Sequence, residues 1–121
     1  MSKKQTILNY IIDIKEKITR IKNKIHNISL KDFSNDNDLQ EIIEYNILII
    51  GEAISKIPND FLLKYKNDKF YWRQISDMRN FLVHQYWGTN LEMVYQVATE
   101  DINELELYID KIIEKEGFKN N

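Results

Sequence analysis

Seven isoleucines constrain this chain more than anything else in it. Ile7, Ile11, Ile14, Ile18, Ile21, Ile25 and Ile28 follow one another in steps of four and three, with lysine and asparagine between them. Such steps return a side chain to one face of an α-helix, whereas a strand alternates faces at every residue. The spacing predicts a helix of roughly 25 residues, about 37 Å long, with a single apolar stripe. A coiled coil would use the same spacing, but the pattern stops at one helix, which favours the wall of a bundle core. Three glycines and one proline in 121 residues are too few for the turns of a β-rich fold.

The remainder of the chain reads as further helices. "KDFSNDNDLQ" (31–40) has the composition of a polar loop, and Asp38 with Glu41 marks a helix start. A second helix over 38–57 carries Leu39, Ile42, Ile43, Ile47, Ile50, Ala53, Ile54 and Ile57, and Leu48 and Ile49 widen its apolar surface. A helix greasy over most of its girth is central, or is shared with another subunit. Gly51 inside it suggests close approach of a neighbour, and Pro58 ends it. Residues 59–70 predict a short helical turn. A third helix runs from near Phe70 through Trp72, Ile75, Met78 and Leu82 until Gly88 breaks it. Thr89 and Glu92 fit a capping box for a last helix with Leu91, Val94, Val97, Ala98, Ile102, Leu105, Ile109 and Ile112 on one face. The expected fold is all-α: one domain over 1–121, a bundle of four main helices with a short extra one.

Several chemistries have no residues to run on. With no cysteine, thiol nucleophiles, disulfides and Cys-type zinc sites are excluded. His26 and His84, the only histidines, fall in no metal-ligand spacing, and His26 belongs to the charged face of the first helix. The three glycines stand apart, so no phosphate-binding loop exists, and no metal or cofactor is expected. Charges recur at every turn of the first twenty residues, which fits neither a signal peptide nor a membrane span, and the absence of cysteine fits the cytoplasm.

The net charge of −2 conceals a gradient. Residues 1–31 hold eight basic and two acidic side chains, and residues 89–121 hold three and eight. A basic segment can contact phosphate, with Lys15, Lys22 and Lys24 as candidates, or it can pair with an acidic segment of the same fold. A dedicated nucleic-acid binder is usually basic overall, which favours pairing.

"MRNFLVHQYWG" (78–88) concentrates the remaining chemistry. Of 17 basic residues only three are arginine. One of them, Arg79, lies here with Asn80, His84, Tyr86 and Trp87. In an ideal helix Asn80 and His84, four apart, share a face, and Arg79 and Tyr86, seven apart, share another. Arg79 and His84 diverge by about 140°, so they line one cleft only if the helix loosens or a second subunit completes the site. Spacing alone leaves a working site and a structural role equally open. Arg79 has potential partners in Glu52 and Asp77, and Tyr86 and Trp87 have the form of core aromatics with polar handles.

The segment resembles a known family. Arg79, four residues, His84, one residue, Tyr86 is the R-x4-H-x-Y arrangement of the HepT-like toxins of the HEPN superfamily. "GEAISKIP" (51–58) is similar to that family's "GEA" helix, and "ISDMRNFLVHQYWG" (75–88) to its signature segment. The first 38 residues match only in pattern. Thr89-Asn90 stands where the family often has Asp, a departure expected to touch helix capping more than chemistry.

The resemblance implies a HEPN-type four-helix up-and-down bundle, forming a two-fold homodimer with the motif near the interface. It implies a metal-independent ribonuclease toxin acting on RNA, tRNA or mRNA. Its partner would be a minimal nucleotidyltransferase (MNT-type) antitoxin that neutralises it by AMPylation of Tyr86. RNA brings its own nucleophile, the 2′-hydroxyl. His84 would then move the proton, Arg79 would stabilise phosphorane charge and Asn80 would aim His84. The alternative is a non-catalytic HEPN module that binds nucleotide or RNA beside a nucleotidyltransferase.

Overall fold

The computed structural model describes residues 2–65 and 90–117, and within them every regular element is helical. The isoleucine seam forms helix α1, Lys3–Ile25, with Ile7, Ile11, Ile14, Ile18, Ile21 and Ile25 buried. Each such burial contributes about 2 kcal/mol. Ser2 caps the start by accepting from Gln5 N at 3.1 Å. The helix stops where Asn27 takes the left-handed conformation (φ 59°), which asparagine tolerates better than most residues. His26 is exposed there, 3.2 Å from the Asn27 amide nitrogen.

The polar run 31–40 is not the loop its composition predicts. Residues Leu30–Ser34 form a short helix, α2, capped by Ser29, which accepts from Asp32 N. Phe33 is fully buried, its ring 5.7 Å from that of Tyr95. The Tyr95 hydroxyl donates to the Ile28 carbonyl at 2.6 Å, and Gln40 Nε2 donates to the carbonyls of Phe33 and Ser34. One aromatic anchor and two side-chain hydrogen-bonding groups thus hold a polar segment against the core.

Helix α3, Asn37–Ser55, begins before Asp38 would place it, because Asp36 is the cap and accepts from Leu39 N at 3.0 Å. It closes at Lys56, so Pro58 does not end α3; it precedes α4, Asn59–Leu63, where its missing N–H costs nothing. The predicted third helix and its break at Gly88 lie outside the described residues.

The last helix, α5, starts at Leu91 and ends at Lys115. Asn90 caps it by accepting from Met93 N at 3.1 Å, in the role the sequence offered to Thr89. One π turn, Val97–Asp101, interrupts it. Such a turn widens the helix by an extra residue and leaves carbonyls ill-served. Here Thr99 Oγ1 donates to the Tyr95 carbonyl and Asn103 Nδ2 to that of Thr99. Gly117, at φ 71°, follows the end of the helix. α1 packs against both α3 and α5 and so forms the spine of the bundle. Among the described residues no helix is long and apolar enough to cross a membrane.

Candidate active site

Three apolar faces hold the scaffold on which a site can be built. α1 supplies the isoleucine stripe and α3 supplies Ile43, Ile47, Ile50 and Ile54. α5 supplies Val97, Ile102, Leu105, Ile109 and Ile112. Gly51 and Ala53 of the "GEA" segment are buried on α3, with Glu52 half-buried between them. Arg79, Asn80, His84 and Tyr86 lie outside the described residues, as do Asp77 and Trp87.

Of the three lysines raised as phosphate contacts, Lys15 and Lys22 are brought together on one carboxylate, and Lys24 does not join them. Lys15 Nζ lies 3.2 Å from Glu106 and 2.7 Å from Asp110. Lys22 Nζ lies 2.6 Å from the other Glu106 oxygen. The basic first helix therefore meets the acidic last one, as the charge gradient favoured. Burial opposes the Lys15 charge, but the hydrogen bonds to Asp110 and Glu106 hold its pKa above the ordinary lysine value. The Lys22 hydrogen bond, against burial and with help from Lys15, holds the Glu106 carboxyl below the ordinary range. Lys24 is exposed in the last turn of α1.

Two clefts flank the described part of the bundle. Between α1 and α3 a cavity of about 710 Å³ has Lys17 and Arg20 on one wall and Asp38 and Glu41 on the other. Ile42 and Tyr45, the latter 58% exposed, line the α3 side as well. The second cleft, where α4 meets both the start of α1 and the end of α5, holds about 560 Å³. Beside it the Tyr65 hydroxyl donates to Glu116. Burial first, then this hydrogen bond, pushes the Tyr65 phenol up to about 12. The same bond, aided by Lys64 and Lys4, lowers the Glu116 carboxyl.

Sequence reasoning passed over three buried polar residues of α3, namely Gln40, Glu44 and Asn46. Glu44 is 1% exposed. Gln40, Glu44, Ile47, Gly51 and Ile54 follow the same four-three spacing as the seam, which is the signal that would have found the first two. Asn46 Nδ2 donates to the Ile42 carbonyl at 2.7 Å, and the residue lines the α1–α3 cleft. On α5, burial and then Glu104 and Glu100 raise the Asp101 carboxyl. Among the described residues no group of three His, Asp or Glu side chains is placed to hold a metal ion.

Residues 14–112 match the family described as Ribonuclease HepT-like, a span that includes the whole arginine–histidine–tyrosine segment. The chain belongs to the HepT-like ribonuclease family. Its relatives agree. "Probable ribonuclease HepT" of Thermococcus cleftensis is 33% identical over 109 residues, 90% of this chain and 97% of that one. "Putative RNase TTE0752" of Caldanaerobacter subterraneus subsp. tengcongensis is 33% identical over 93 residues, 77% and 81% of the two chains. "Putative RNase MJ1216" of Methanocaldococcus jannaschii is 32% identical over 110 residues, 91% and 89%. No solved structure matches the chain. Within this HepT-like chain, α3 ends at Ser55 and α5 begins at Leu91, so the motif segment falls between them in sequence.

Proposed function

We propose that this HepT-like chain is the ribonuclease toxin of a toxin–antitoxin pair and cleaves RNA without a metal ion. The observation that carries this reading is the motif Arg79-x4-His84-x-Tyr86 inside the span matched by the ribonuclease family. In the proposed reaction the 2′-oxygen bonds to phosphorus and the 5′-oxygen leaves. The products are a 2′,3′-cyclic phosphate and a 5′-hydroxyl end. The 2′-hydroxyl loses its proton and the departing oxygen gains one, and His84 serves one of these transfers because imidazole titrates near neutral pH. Arg79 offers two parallel N–H donors to the charge that builds on the phosphoryl oxygens. Asn80 orients the imidazole.

The chain acts in this reading as a homodimer. An MNT-type nucleotidyltransferase neutralises the toxin by AMPylation of Tyr86, which places a bulky anion beside Arg79. The pair works in the cytoplasm.

The test is cleavage of RNA by purified protein in EDTA, beside His84→Ala. Wild type is expected to cut and the variant to lose at least about a hundredfold in rate. Equal cutting by both would remove His84 from the mechanism. The chain's overall acidity, a net charge of −2, keeps one second reading, a non-catalytic module that binds nucleotide or RNA. Nucleotide binding with no cleavage under any condition would select it.

A further inference from the structure

The cations of α1 fall into two sets that are answered differently. Lys15 and Lys22 are held by Glu106 and Asp110 of α5. Lys17 and Arg20 instead line the α1–α3 cleft, and among the described residues no ion pair engages either. Asp38 and Glu41 line the same cleft from α3, and no ion pair among the described residues engages them. Opposite charges that share a cleft yet stand beyond ion-pair reach leave room for a ligand that answers both. Arg20 is also one of only three arginines among 17 basic residues, and its planar guanidinium matches the oxygens of a phosphate.

Two further residues add what charge alone would not. Asn46 lines the cleft while only 2% exposed. Its amide nitrogen is committed to the Ile42 carbonyl, and no donor among the described residues reaches its oxygen. A buried amide oxygen without a donor is an acceptor that a ligand N–H or O–H can satisfy. Tyr45, 58% exposed, brings an aromatic ring to the same place, and such a ring is a platform on which a planar base stacks. The volume of about 710 Å³ lies within the range of roughly 300–1,000 Å³ that holds small ligands.

We infer that the α1–α3 cleft binds one nucleotide unit, free or within a strand. Its phosphate lies on Lys17 and Arg20, and its base stacks on Tyr45 and donates an amino N–H to the Asn46 oxygen. Asp38 and Glu41 accept from the ribose hydroxyls, as a carboxylate does in dinucleotide-binding folds. A free amino acid would also answer both charges, but it would leave the Tyr45 ring bare. Binding here needs no cleavage by the motif segment and stands apart from the ribonuclease reading.

Calorimetric titration of the full chain with AMP should give a dissociation constant below about 1 mM. Adenosine, which lacks the phosphate, should bind at least tenfold more weakly, and UMP, whose base has no amino group, at least fivefold more weakly. Tyr45→Ala and Arg20→Gln change exposed positions, and each should weaken AMP at least fivefold. Arg20→Gln should leave adenosine binding as it was, because that ligand brings no phosphate. A control with Lys24→Gln and Lys31→Gln removes exposed charge elsewhere. Equal weakening by the control would reduce the effect to net charge and overturn the inference. AMP, UMP and adenosine held alike would overturn it too. An adenylate strand about six nucleotides long, added to the chain carrying His84→Ala, separates the two sources. If it displaces AMP and loses affinity with Tyr45→Ala, the unit belongs to a strand; if it does not displace AMP, the ligand is the free nucleotide. If wild type cleaves RNA and neither AMP nor the strand responds to Tyr45→Ala, the inference falls and the ribonuclease reading stands. If AMP binds as expected and no RNA is cut, the site stands and the ribonuclease reading falls.

Discussion

Lys22 and Glu106 stand 2.6 Å apart, Nζ to Oε1, although 84 positions separate them along the chain. Glu106 also receives Lys15, which in turn holds Asp110. Four side chains thus form one network between the first and last helices, and its central carboxylate is only 20% exposed. Isolated surface pairs contribute little, but a half-buried carboxylate shared by two ammonium groups loses more when it is removed.

Glu106→Gln is therefore expected to lower stability by about 1–2 kcal/mol in urea unfolding at neutral pH. The pH dependence has a definite sign. The folded pKa of Glu106 is depressed, so its contribution is present above the ordinary glutamate value of about 4.3 and is lost as pH falls through the folded value. From about pH 5 downward, wild type should lose stability more steeply than Glu106→Gln. Parallel curves would mean that solvent screens the network.

Phe33→Ala should cost about 3–5 kcal/mol, the range for removing a buried aromatic ring. The loss should also release α2, because the other ties of that segment are hydrogen bonds such as those from Gln40. Amide exchange would show residues 30–34 losing protection. Retained protection there would show that the ring is not the anchor.

Tyr65 gives an alkaline counterpart. Its phenol is raised to about 12 by burial and by the Glu116 bond. A raised folded pKa stabilises fully below the unfolded value of about 10, and the contribution disappears as pH rises through the folded value. Ultraviolet titration should show a late-ionising tyrosine that Tyr65→Phe removes. In the same variant the Glu116 carboxyl should titrate at higher pH, and NMR would follow it.

Tyr86→Phe tests the proposed off switch separately from the chemistry. Co-expressed with its nucleotidyltransferase, wild type should gain mass in whole AMP units and Tyr86→Phe should not, while the unmodified variant still cuts RNA. Mass gain by the variant would place the modification elsewhere.

How far the sequence could be read depended on how each feature repeats. The isoleucine seam was legible because seven residues obey one period, and the pairing of α1 with α5 followed from opposite charge at the two ends of the chain. Phe33 was not legible, since a single aromatic in a polar run has no period to betray burial. The cap of α3 was ambiguous because Asp36, Asn37 and Asp38 all have suitable side chains, and only backbone geometry selects Asp36. Asn90 beside Thr89 posed the same choice. Glu44 was hidden by its chemistry, although its spacing placed it on a buried stripe. For the site, a local motif singled out Arg79, His84 and Tyr86, because their spacing is a property of sequence. How far apart their side chains stand depends on tertiary placement, which no spacing specifies.

The π turn in α5 means that the chain carries one residue its bundle does not require. An extra residue bulged out within Val97–Asp101 leaves the flanking turns as they would run in an unbroken helix. Deleting exposed Glu100 should consequently shorten the protein without turning the buried face of α5 away from the core. Leu105, Ile109 and Ile112 keep their places, and thermal unfolding should occur at or above the wild-type temperature. Length at this point is slack, open to insertion and loss in a way that the tightly spaced isoleucines of α1 are not.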